Sequence, residues 1–192
     1  MPYTPVEHRI GIQPIAIANV PNATLQSGQS PFFNQEHPLG TVIRAADPVY
    51  GEGEFIYLQM APAQAVGSLV TFGGYGAVAG GAASASQYQA ALAPSAANID
   101  KPLAVAMAAF PAPAPATAFG WFQISGQAVV ATNGTAAGAP APVYLAGAGL
   151  VTTTQANGKQ VLNAQSVTNN GTPAGNFIVL AIDRPFAQGQ VV

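Results

Sequence analysis

Short apolar runs separated by turn signals recur along the chain from Leu39 onward. Runs of this length, bounded by Gly, Pro, Asn or Asp, are typical of β-strands. The pattern predicts strands within residues 41–45, 54–60, 66–72, 102–109, 119–131, 143–146, 151–155, 159–164 and 176–182. We therefore expect a mainly β fold, a compact antiparallel β-sandwich or barrel-like domain with little helix.

The clearest two-residue alternation lies in residues 119–131. One face is apolar and carries Phe122, Ile124, Ala128 and Val130, whereas Trp121 lies on the other face among polar residues. Because successive side chains of a strand point to opposite faces, this alternation predicts a strand that is buried on one face only.

Between the predicted strands, two stretches are rich in Ala, Gly, Ser or Pro, and we expect loops at 73–97 and 110–117. Within the first stretch, residues 83–92 also have the composition of a short helix, although Gly80 and Gly81 oppose its start. The pair Asn157–Gly158 favours a type I′ turn, which predicts that 151–155 and 159–164 form a hairpin.

Residues 1–38 differ from the remainder, since six prolines, at positions 2, 5, 14, 21, 31 and 38, exclude a helix. We interpret 1–38 as an extended N-terminal arm and 39–192 as the β-domain. The alternation of Ile10, Ile12, Ile15 and Ile17 suits a short strand against a partner. The alternative is an edge strand and loop that fold onto the chain's own domain.

Charge is scarce, at 6% of residues, against roughly 25% in soluble domains. A net charge of -2 offers no basic patch for nucleic acid. The absence of cysteine excludes disulfides and thiolate metal sites and suits a reducing cytoplasm. We expect no signal peptide after Met1 and no membrane span, because the apolar stretches are repeatedly interrupted. A surface this poor in charge is expected to lie against other protein in an assembly.

Candidate catalytic groups are few, and we expect no enzyme, no cofactor and no metal. Asp47, Glu52 and Glu54 form one acidic cluster, but without calcium-loop spacing they suit a solvated turn. The histidines, His8 and His37, both lie in the arm. We expect His8 and Arg9 to make polar contacts with a neighbouring subunit.

Trp121 is the sole tryptophan, and two interpretations stay open for it. It either packs in the core or anchors a protein interface, where tryptophan is enriched.

Several segments resemble a known family. Residues 39–58, from Leu39-Gly-Thr-Val-Ile-Arg to Phe55-Ile-Tyr-Leu, are similar to the opening of a group of tailed-bacteriophage virion structural proteins, which resemble capsid decoration (cement) proteins. Residues 66–71, 102–108, 119–129 and 176–186 look similar in the same order. The Ala/Gly/Pro-rich inserts depart from the family pattern.

The resemblance implies a compact β-domain on the outer surface of an icosahedral phage head, assembled in the host cytoplasm. It implies a homo-oligomer, often a trimer, that clamps neighbouring major capsid proteins. The arm residues His8, Arg9, Ile10, Ile12, Ile15 and Ile17, together with Trp121, are the predicted protein interface. The alternative function is a phage surface-fibre or adhesin-like module that binds a glycan or receptor, with Tyr75, Tyr88 and Trp121 stacking on sugar rings.

Overall fold

A computed structural model describes residues 4–5, 36–60, 64–73, 88–109, 118–134, 139–169, 171 and 173–189. Within these ranges the chain forms strands and turns without a helix, so the mainly β prediction is confirmed. The strands are β1 (Thr4–Pro5), β2 (Val42–Asp47), β3 (Gly51–Met60), β4 (Leu69–Thr71), β5 (Gln89–Leu92), β6 (Leu103–Ala106), β7 (Ala118–Ala131), β8 (Pro142–Gly147), β9 (Leu150–Thr152), β10 (Gln160–Ser166) and β11 (Phe177–Ala187).

Five of these strands form a closed ring in the order β3–β5–β4–β6–β7, and β7 pairs again with β3. The closing pair is antiparallel and extensive, running from Glu54↔Ser125 to Met60↔Ala118. The β3–β5 pair is parallel, and the other pairs in the ring are antiparallel. Strand direction cannot alternate around an odd number of strands, so a closed ring of five requires at least one parallel pair.

β2 and β1 extend from β3, and four further strands extend from the second half of β7 in the order β11–β10–β8–β9, with each of these pairs antiparallel. β9 then returns to the end of β7 through one parallel bridge, Thr132↔Val151. This second set is therefore also ring-like, and β7 is the strand that both sets share. The fold is mainly β and barrel-like, one of the two arrangements that the sequence left open, although the parallel β3–β5 pair makes the sheet mixed and not wholly antiparallel.

The first ring is filled by a cluster to which each of its strands contributes. Its buried members are Ile56, Leu58, Val70, Ala90, Ala104, Ala106, Ala108, Ala118, Phe122 and Ile124. Half of these residues are alanine, which suits the narrow interior of a five-stranded ring, since barrel diameter falls with strand number.

Two further clusters lie outside this ring. One joins Leu69, Leu103 and Val105 to the apolar residues of the second set, such as Val143 and Leu180. The other covers the opposite face of β3 and β7 and contains Ile43, Ala45, Phe55, Tyr57, Met107, Phe119 and Trp121. Burying one Val, Leu, Ile or Phe side chain contributes about 1.5–3 kcal/mol to the free energy of folding. The three clusters together therefore hold the strands in place.

The structure corrects the prediction that β7 is buried on one face only. Both faces are buried along its first half, where Trp121 and Gln123 are each 0% exposed. The Gln123 amide is satisfied within the strand, because Nε2 donates to the carbonyl oxygens of Ser125 and Gln127 at 3.1 and 3.0 Å. The alternation was correct, but the polar face of this half-strand lies under a third cluster that a single strand's pattern does not reveal.

Two local predictions are also wrong. Residues 89–92, placed in the predicted loop 73–97 and in the possible helix 83–92, form strand β5 instead. Asn157–Gly158 does form a turn, with Gly158 at φ +71°. However, β9 and β10 do not pair across it, because both pair with β8 and lie on its two sides.

The predicted loop 110–117 lies outside the described residues. No helix long and apolar enough to cross a membrane occurs in the described part of the chain.

Candidate functional site

The edge of β2 is where the N-terminal segment meets the domain. Thr4 pairs with Ala46 and Pro5 with Ala45, in antiparallel register, so β1 adds a strand beside β2. Proline is tolerated on an edge strand because its missing N–H removes no hydrogen bond from the sheet interior. The arm residues predicted to form an interface, His8, Arg9, Ile10, Ile12, Ile15 and Ile17, lie outside the described residues, and their role stays a prediction.

Among the described strands, β1 covers β2 only opposite Ala45 and Ala46. The other side of β2 pairs along its whole length with β3, from Val42↔Ile56 to Asp47↔Gly51. Val42, at the uncovered end, is 41% exposed. We call Val42–Asp47 with its outward backbone groups the β2 edge, since an edge of this kind can accept a further strand.

The other end of the arm also contacts the domain. The His37 ring lies 5.2 Å from the rings of both Tyr57 and Trp121, measured between centroids. Residue 37 therefore packs with the aromatic cluster of β3 and β7, although it falls within the predicted arm. At both described ends, the segment 1–38 contacts its own domain, and its division from 39–192 as an arm stays a prediction.

Trp121 lies in this aromatic cluster, 5.0 Å from the Tyr57 ring, and is 0% exposed. Its Nε1 is buried and has no hydrogen-bond partner. In this chain the indole packs as a core residue, which is one of the two interpretations that the sequence left open. An interface role would require the ring to become accessible and stays a prediction.

The acidic cluster stabilises local structure. Asp47 Oδ1 accepts hydrogen bonds from the backbone N–H groups of Val49 and Tyr50 at 2.7 and 3.0 Å and so holds the β2–β3 turn. Glu52 pairs with Arg44 at 3.2 Å, and Glu54 pairs with Arg184 at 3.0 Å. Across the described ranges, no three His, Asp or Glu side chains come together in a way that would hold a metal ion.

The aromatic residues of the alternative glycan-binding hypothesis are not brought together where they are described. Tyr88 packs against the cluster inside the first ring and lies close above Gly40. Trp121 belongs to the separate cluster outside that ring. Tyr75 lies outside the described residues.

Sequence reasoning missed β5 and the pairing of β1 with β2. Both strands are short, and β1 contains a proline, so neither gives a detectable periodic signal. The one signal that could have indicated an edge strand at β1 was its proline, because proline within sheets is confined mainly to edge positions.

Comparison of the chain with protein-family models, with curated proteins and with solved structures gives no match.

Proposed function

We propose that this chain is a non-enzymatic virion structural protein that decorates the outer surface of an icosahedral tailed-phage capsid. In this proposal it forms a homo-oligomer, with a trimer favoured, and clamps neighbouring major capsid subunits. The sequence resemblance suggests the class of protein. The observation that carries the mechanism is the addition of β1 to the β2 edge.

Strand addition suits a clamp because it uses backbone hydrogen bonds and needs no particular side-chain chemistry. A tethered strand that pairs within one subunit can pair with the same edge of a neighbour, as in domain swapping. The prolines of the N-terminal segment restrict its unbound conformations and reduce the entropy that ordering costs. We propose that residues 1–38 exchange or extend across subunit boundaries on the capsid.

The sparse charges support a role in contacts. Arg44–Glu52 and Arg184–Glu54 are intramolecular pairs at the β2, β3 and β11 surface. Three valines, Val42, Val49 and Val66, are exposed and add apolar area to the surface. A surface with few charges gives weak mutual repulsion and tolerates burial against other subunits.

The proposal is tested by co-sedimentation of the purified chain with mature, undecorated phage heads. We expect saturation at a fixed number of copies per shell that matches the capsid lattice. A variant lacking residues 1–35 retains His37 and is expected to stay folded, yet to bind the heads weakly and not raise their thermal stability.

Two results would contradict the proposal. The intact chain could fail to bind heads and bind a glycan array instead, which would favour the adhesin-like module. Alternatively, the shortened chain could bind and stabilise heads as well as the intact chain, which would remove the clamp from the mechanism.

A further inference from the structure

A polar cleft lies at the surface of the second set of strands, away from the β2 edge. It has a volume of about 430 Å³. Its side chains come from the start of β10, from β8, from the turn at 155–158, from the loop before β6 and from the residue after β11. They include Asn98, Tyr144, Gln155, Asn157, Gln160 and Gln188.

Backbone hydrogen bonds hold the walls of the cleft together. The Asn98 N–H donates to the Gly158 carbonyl at 2.7 Å, and the Gln188 N–H donates to the Gln160 carbonyl at 2.9 Å. The Gln188 side chain is itself fixed, because its Oε1 accepts from the Gln160 N–H at 3.3 Å. The cleft is therefore formed before any ligand arrives, which lowers the entropy cost of binding.

Gly158 allows the turn to lie this close to the opposite wall. It has φ +71°, and a Cβ at this position would lie 2.6 Å from Asn98 Oδ1. A larger residue would push Asn98 away and open the cleft. Gly158 thus sets the distance between the turn and the Asn98 side chain.

The polar side chains that line the cleft are nearly all of one chemical type. It carries five carboxamide side chains and one tyrosine, and no charged residue is among them. Each carboxamide offers both N–H donors and a carbonyl acceptor, and the tyrosine hydroxyl can do either. An anion would find no lysine or arginine here, a cation no carboxylate, and an apolar ligand would leave amides without partners.

We propose that this cleft binds a neutral saccharide. Sugar hydroxyls are alternately donors and acceptors and match a ring of carboxamides without any need for charge. The half-buried ring of Tyr144 provides an apolar face for the C–H surface of a pyranose, with its hydroxyl as a polar end. The volume lies within the range of about 300–1,000 Å³ that is usual for ligand clefts.

This inference goes beyond the proposed capsid role and does not depend on it. A decoration protein and an unrelated structural protein could each carry such a cleft. Because the cleft lies on the β8–β10 side and the clamp on the β2 edge, each proposal can fail while the other stands.

The test is an NMR titration of the intact ¹⁵N-labelled chain. The probes are neutral trisaccharides of glucose, galactose, mannose and N-acetylglucosamine, together with sialyllactose and its uncharged core, lactose, as a matched pair. We expect at least one neutral probe to shift the side-chain NH₂ signals of Asn98, Gln155 and Gln188 in a saturable way. Sialyllactose should bind no more tightly than its uncharged core.

Variants then assign the binding to the cleft. Tyr144→Ala is expected to weaken binding of that probe at least tenfold, Tyr144→Phe only a few-fold, and Gln155→Ala several-fold. Gln165→Ala is the matched control, since Gln165 is an exposed glutamine of β10 that does not line the cleft.

If Tyr144→Ala does not fold, Gln155→Ala in the exposed turn still decides the question. The proposal is overturned if no neutral probe shifts these signals, if binding survives both Tyr144→Ala and Gln155→Ala, or if the charged probe binds more tightly.

Discussion

At the scale of single residues, substitution of Trp121 distinguishes a role in core packing from a role in a protein interface. It is fully buried beside Tyr57 and Phe119 in the cluster outside the first ring. We expect Trp121→Ala to lower the free energy of unfolding by about 3–5 kcal/mol, because it removes a large buried side chain and leaves a cavity. Urea unfolding followed by circular dichroism measures this loss.

Trp121→Phe is the matched comparison. The indole Nε1 has no hydrogen-bond partner, so phenylalanine gives up packing volume but no hydrogen bond and should be the milder change. An unchanged unfolding curve for Trp121→Ala, together with weaker self-association in sedimentation, would instead favour an interface role.

The sequence predicted the two possible environments of Trp121 but could not choose between them. Alternation along residues 119–131 correctly places it opposite Phe122. Which distant segment covers that face depends on the pairing of β2 and β3 and on the position of His37. Those contacts are remote in sequence and leave no mark in the local pattern.

At the scale of elements, the close approach of β3 and β7 depends on Gly126. This residue has φ +97°, and a Cβ there would lie 2.4 Å from the Glu52 carbonyl oxygen. Gly51, at the start of β3, has φ +74° but no atom within 4 Å of such a Cβ. The two glycines therefore separate the effect of backbone conformation from that of a steric clash.

We expect Gly51→Ala to lower the free energy of unfolding by about 1–2 kcal/mol, which is the usual strain of a left-handed conformation in a residue with a Cβ. Gly126→Ala should lower it by more, about 3 kcal/mol, because the same strain is joined by a clash with a backbone oxygen, which cannot move aside as a flexible side chain can. Thermal denaturation of the two variants side by side checks this. Equal losses would show that the β3–β7 contact yields to accommodate a methyl group.

Strand positions followed from the sequence more closely than strand pairings did. The predicted run 54–60 lies within β3, and 119–131 matches β7 to within one residue. The hairpin predicted at Asn157–Gly158 failed because β8 lies between β9 and β10. Turn chemistry fixes a chain reversal, but hydrogen bonding by strands distant in sequence decides which neighbours pair.

At the scale of the whole molecule, β7 belongs to both sets of strands. Its residues 118–125 pair with β3, and its residues 125–131 pair with β11. We expect the two sets to unfold together, since loss of β7 removes the pairs that close the first ring and the pair that joins β11 to it. Trp121 fluorescence reports the cluster on the outer face of the paired β3 and β7, and the methyl NMR signals of Val143 and Val161 report the second set. Their urea midpoints should coincide, whereas a separate, earlier loss of the valine signals would show independent units.

The candidate sites were less accessible to sequence reasoning than the fold. The cleft residues come from five separate places in the chain, and amides scattered between 98 and 188 form no motif. The β2 edge was equally hidden, because the position of a strand at the edge of a sheet is a property of the assembled sheet. The low charge directed attention away from ionisable clusters, but it could not point to either surface.

The shared strand also has a consequence for the growing chain on the ribosome. Synthesis proceeds from the N-terminus at about 5–20 residues per second, and β3 is complete at Met60, long before β7 is made. Until then, Ile56 and Leu58 have no closing strand against which to pack. When β7 emerges, it can close the first ring. Its second half has no β11 to pair with until the chain has been synthesised as far as Ala187, where β11 ends. A chain released before that point would expose an unpaired strand edge, so premature termination is expected to yield aggregating products, not a smaller folded domain.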